Sequence, residues 1–116
     1  MAFMAVAFPV VPGMEGRAAD LAGEILANRD RYEALNAVSG VRRHMEWLQQ
    51  TPMGSLLITV FEVDHPELML RPFADDTYDT WWLDRLRDVH GMDVRTMTVA
   101  PAPPEMVYDW RADGVD

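Results

Sequence analysis

Val41-Arg42-Arg43-His44-Met45-Glu46-Trp47-Leu48-Gln49-Gln50, then Thr51-Pro52-Met53-Gly54, then Leu56-Leu57-Ile58-Thr59-Val60-Phe61-Glu62-Val63 reads as strand, turn, strand. Proline and glycine punctuate the junction as a short hairpin connection demands. The first strand alternates. Val41, Arg43, Met45, Trp47 and Gln49 face one way, and Arg42, His44, Glu46, Leu48 and Gln50 face the other. The second strand is apolar on both faces until Glu62.

Upstream, Phe3 to Val10 is a continuous apolar run closed by Pro12-Gly13. It has the pattern of a buried strand rather than of a signal peptide, which would carry a basic leader. From Met14 to about Val38 the spacing becomes helical, through Met14, Ala18, Leu21, Ile25, Tyr32 and Leu35. The stripe falters at Asn28 and Arg29, and Ser39-Gly40 supplies the stop. Downstream, Asp64-His65-Pro66 opens a short helix that Pro72 ends. Asp75, Asp76 and Thr77 offer caps for a helix from Tyr78 to His90, with Tyr78, Trp82, Leu86 and Val89 as its stripe and Gly91 as its stop. Asp93 to Val99 predicts a last strand. Residues 100–116 are a proline-rich tail in which Met106, Tyr108 and Trp110 alternate, as an extended segment does when one side docks on its own domain or on a partner.

The order is βαββαβ, an α+β plan with an antiparallel sheet over residues 1–99 and the ferredoxin-like layout. One helical layer covers one face of such a sheet. The first and third strands are apolar on both faces, so the uncovered face predicts a homodimer in which a second sheet packs against it. This plan resembles the dimeric α/β-barrel superfamily. The hairpin Trp47 to Gly54, the helix end His90-Gly91-Met92-Asp93 and the segment Tyr108-Asp109-Trp110 are similar to a small uncharacterised bacterial family within it. The resemblance implies a pocket between the sheet and its helices, lined by aromatic residues and one or two polar groups. The superfamily includes cofactor-free monooxygenases, haem-degrading enzymes, isomerases and proteins without known activity, so it constrains function little.

Composition excludes more than it suggests. A net charge of −9 and a pI near 4.6 disfavour nucleic acid and anionic membrane surfaces as partners. All ten basic residues are Arg, which removes Schiff-base chemistry and a phosphate-loop lysine. The absence of Cys removes thiolate nucleophiles and disulfides and fits a cytoplasmic setting. No segment has the roughly 20 apolar residues of a membrane span.

In the row Arg42-His44-Glu46 an imidazole lies between a cation and a carboxylate, a pattern that orients His for proton transfer. The same charges also suit a defended edge strand. His90, at a helix end, is a second candidate for proton transfer, although a dipole-stabilised cap is the better account of it. His44 and Glu46 with His65 or His90 lack the spacing of a recognised metal site, so neither metal nor cofactor is expected. Tyr32, Trp47 and Trp81 are candidate pocket residues, and Trp82 falls on the core stripe. Three functions stay open: a homodimer binding a small apolar or aromatic ligand, a cofactor-independent monooxygenase- or isomerase-like enzyme, and an interaction module without ligand.

Overall fold

The computed structural model describes residues 2–73, 79–97 and 104–113. Strand β1 (Ala2–Pro9) is followed by three short helices, α1 (Glu15–Ala19), α2 (Leu21–Ala27) and α3 (Arg29–Ser39). The hairpin of β2 (Val41–Thr51) and β3 (Gly54–Val63) comes next, then a 3-10 segment, Pro66–Phe73, and helix α4 (Thr80–His90). The sheet is antiparallel with β3 in the centre and order β1-β3-β2.

The expected single helix over residues 14–38 is three segments. Asp20 and Asn28 break it (φ −91°, ψ 25° and φ −130°, ψ 36°). The Asn28 amide donates to the Glu24 carbonyl at 2.9 Å. Asn competes with the helix for its own backbone groups in this way, whereas the Asp20 side chain makes no capping bond. The expected strand over Asp93–Val99 is also corrected as far as the chain is described. Residues 93–97 turn, with Arg95 N–H on Asp93 Oδ1 and Thr96 N–H on the Asp93 carbonyl, both 3.1 Å. An aspartate that closes its own turn outcompetes a strand there. Thr98 and Val99 lie outside the described residues, as do the expected caps Asp75, Asp76 and Thr77 and the stripe residue Tyr78. The observed cap of α4 is Asp79, whose carboxylate accepts from Trp81 N–H at 2.8 Å.

Helices α1, α3 and α4 pack on the face of the sheet that carries Leu57 and His44. Along β3, Leu57, Thr59, Phe61 and Val63 are buried while the intervening residues are not. Val10, Ala18, Leu57 and Val89 form the core with Met14 against them. The opposite face carries Phe3, Ala5, Ala7, Met45, Trp47, Leu56, Ile58 and Val60, as the strand register dictates. Phe3 and Trp47 on it are 63% and 51% exposed. The tail residues Met106, Val107, Tyr108 and Trp110 are exposed as well, and Pro104–Met106 border Phe3 and Ala5. No helix among the described residues is long and apolar enough to cross a membrane.

Gly40 ends α3 at φ +69°, where an added Cβ would come within 2.9 Å of Asp64 Cβ. Gly16 lies in α1 with open space around it. Gly40→Ala should therefore destabilise by more than about 1 kcal/mol, and Gly16→Ala should stabilise by about 0.5 kcal/mol. Urea unfolding of the two variants checks this, and equal midpoints would refute the assigned cap.

Candidate functional site

Between the helices and the sheet lies a cavity of about 450 Å³. Its lining is aliphatic (Ala18, Ala19, Leu21, Ala22, Ile25, Leu48 and Leu57) except for Tyr32, His44 and Glu46. Strand alternation puts His44 and Glu46 on the helix side, paired in register with Phe61 and Thr59 of β3. Their side chains are 6% and 13% exposed. The His44 ring stacks on Phe61 at 4.6 Å, and Tyr32 and Trp82 close around it at 6.1 Å.

His44 is bonded at Nδ1 and faces a carboxylate at Nε2. Tyr32 Oη lies 2.6 Å from Nδ1, and Nε2 lies 3.4 Å from Glu46 Oε1. Burial is the main cause that pushes the Tyr32 hydroxyl above its ordinary pKa, so it keeps its proton. Burial alone would push Glu46 up. The contacts with His44 and Thr59 and the nearby charge of Arg85 outweigh it and hold the carboxyl below its ordinary value. A nitrogen facing a carboxylate carries the proton, so the arrangement assigns Nε2–H to His44, with Nδ1 accepting from Tyr32.

Glu46 Oε1 accepts from the Thr59 hydroxyl at 3.1 Å, and Arg85 Nη2 lies 4.0 Å from Oε2. Arg85, on α4, is 3% exposed. It pairs with Glu24 of α2 and donates to the carbonyls of Arg17 and Ala18, each at 3.3 Å. Arg17 in turn bonds Glu24 at 2.9 Å and pairs with Asp88. Four elements, α1, α2, α4 and β2, thus meet in one charge network beside the cavity. Two atoms in it, His44 Nε2 and Glu46 Oε2, are buried without a hydrogen-bond partner among the described residues.

The structure brings together His44, Glu46 and Tyr32 of the residues singled out from sequence. Arg42 is not with them. Pairing shifts from Val41↔Val63 to Arg43↔Glu62, a bulge that turns Arg42 out of the row to bond Asp64 at 2.9 Å in solvent. Trp47 lies on the uncovered face of the sheet. Trp81 packs on Trp82 and Tyr32 at 5.5 and 6.4 Å and is outside the cavity lining. His90 bonds the Pro9 carbonyl through Nδ1 at 2.8 Å and packs on Phe8. Burial, partly offset by that bond, lowers its pKa, so it ties α4 to β1 as a neutral ring. Exposed His65 lies 3.8 Å from Glu67. No three His, Asp or Glu among the described residues gather as a metal site.

Sequence reasoning missed Arg85, Glu24 and Thr59. Arg85 stands at the three- and four-residue spacing of Trp82 and Val89, a charge on an apolar stripe, and that was the available signal.

Two variants test the network. Arg85→Met leaves part-buried Glu24 with Arg17 as its ion-pair partner and removes the link to α4, and should cost about 1–3 kcal/mol, read from thermal and urea unfolding. Glu46 has a lowered folded-state pKa, so its stabilisation is complete above its unfolded value and is lost as pH falls through the folded one. Unfolding midpoints across the acid range below about pH 5 should fall less steeply in Glu46→Gln than in the wild type. Superimposable profiles would show that Glu46 is not held ionised by its surroundings. No protein-family model, curated protein or solved structure matches this chain.

Proposed function

We propose that the chain binds a small, mainly apolar molecule in the cavity between its helices and its sheet, and that it does so as a homodimer with the two open sheet faces together. The observation that carries the binding reading is the placement of His44 and Glu46, beside Tyr32, in an otherwise aliphatic wall. Ala and Leu would fill those positions without the desolvation cost of an imidazole and a carboxylate. The cavity size falls in the range of roughly 300–1,000 Å³ typical of ligand pockets.

The dimer rests on the uncovered face. Its apolar residues come from all three strands, and Arg43 and Glu62 sit in register beside them. A face carrying both signs of charge is self-complementary about a twofold axis, as an isologous interface requires. This is the sheet-to-sheet arrangement that the resemblance to the dimeric α/β barrels implies.

The Tyr32–His44–Glu46 chain of contacts supports a second reading, a cofactor-independent enzyme with His44 as its proton-transfer group. On that reading His44→Ala would abolish turnover of any substrate found while leaving the fold intact, and retained turnover would end it.

Two measurements test the main reading. A native mass spectrum should give a dimer at twice the 13.2 kDa chain mass, and Trp47→Glu should give a monomer. A wild-type monomer at micromolar concentration removes the paired-sheet arrangement. Apolar fragments should shift the ¹³C-methyl NMR signals of Ala18, Ala22 and Ile25. If a broad fragment set leaves those methyls unmoved, the cavity is not a binding site.

A further inference from the structure

The cavity wall offers a ligand two polar atoms of opposite kind. His44 Nε2 is a donor, because it faces a carboxylate while Tyr32 occupies Nδ1. Glu46 Oε2 is an acceptor. Both are buried, and neither has a hydrogen-bond partner among the described residues. Leaving such atoms unmatched costs on the order of 1–3 kcal/mol each, more where one is charged, so a group that satisfies both gains a large advantage.

We propose that the ligand's buried end is a hydroxyl group, an alcohol on an apolar body; this rests on the binding reading above. A hydroxyl is the smallest group that donates and accepts through one atom, so one oxygen can take the His44 proton and give its own to Glu46. A ketone or ether can only accept and leaves the carboxylate unmatched. A carboxylate meets Glu46 with like charge, and no Arg lines the cavity to offset it. Arg85, the nearest cation to Glu46, is committed to Glu24 and two backbone carbonyls. An ammonium group has no acceptor for the His44 N–H, and it meets the positive charge of Arg85 4.0 Å from the same carboxylate.

Both polar atoms lie beneath the wall, so the hydroxyl reaches them only when the wall parts. Helix α2 is the segment built for that. It has no buried residue, it is bounded by the breaks at Asp20 and Asn28, and its Leu21, Ala22 and Ile25 line the cavity. Its remaining tie is Glu24, which bonds Arg17 and Arg85.

Menthol, menthone, menthylamine and menthane carboxylate share one ring skeleton and differ in the polar group. Their dissociation constants are read at neutral pH from the methyl shifts of Ala18, Ala22 and Ile25. Menthol should bind about tenfold or more tightly than menthone, the value expected for one hydrogen bond to a charged group. It should also bind more tightly than the amine and the carboxylate. Glu46→Leu should reduce the preference over menthone to near unity; should that variant not fold, the wild-type series alone decides. Equal binding of menthol and menthone, or a preference for the carboxylate or the amine, overturns the hydroxyl inference and leaves the pocket standing. If none of the four moves those methyls, the pocket reading fails and the inference fails with it.

Discussion

Arg85 is the constraint on which the helical layer depends. A guanidinium almost without solvent is tolerated only when carboxylates and carbonyls surround it, and here they come from α1, α2 and, at longer range, β2. Apolar burial works beside it: Val10, Ala18, Leu57 and Val89 cluster with Met14, and Phe61, Val63, Leu83 and Val94 are buried as well. The short helices α1 and α2, five and seven residues long, are below the length at which helix propensity alone holds a helix in water. Glu24 and the backbone carbonyls of Arg17 and Ala18 fix them to α4 through this one side chain.

That way of holding the helices creates the cavity. Side chains that reach across by ion pairing keep α2 above the sheet rather than seated in it, and α2 buries none of its residues. The space beneath is lined by alanine, leucine and isoleucine, side chains too small or too far apart to fill it. The same charges reach the wall through Glu46, which lies between Arg85, Thr59 and His44. Structural charge and candidate site are therefore one network, and a carboxylate that helps to hold the fold also sets the polarity of the pocket.

Much of the fold is legible in the sequence because its signals are local. The hairpin turn needs only Pro52, Met53 and Gly54, with the Thr51 hydroxyl donating to the Gly54 carbonyl at 2.7 Å. Gly40 and Gly91 end their helices at φ +69° and +68°, as their positions after apolar stripes imply. His44 and Glu46 share a face because alternation leaves no choice. What fails depends on competition or on distance. Asn28 and Asp93 each offer the backbone an alternative partner, which periodicity does not register. The bulge at Arg42 is a matter of register between two strands, invisible in one of them. Arg85 and Glu24 are 61 residues apart, and only the tertiary fold, which sets α4 against α1, makes them partners.

Strand β2 joins the two halves of the functional reading. Among the described residues it pairs only with β3, along one of its edges, and its residues alternate between the cavity and the open face. His44 and Glu46 point one way, and Met45 and Trp47, the residues next to them, point the other. An unpaired edge strand can bend and shift more readily than a central one, which suits a defended edge but not a site that must hold two polar atoms in place. A second sheet seated on Met45 and Trp47 would remove that freedom from the backbone that carries His44 and Glu46. Covering the apolar face and fixing the polar pair are then consequences of a single packing event on opposite sides of one strand.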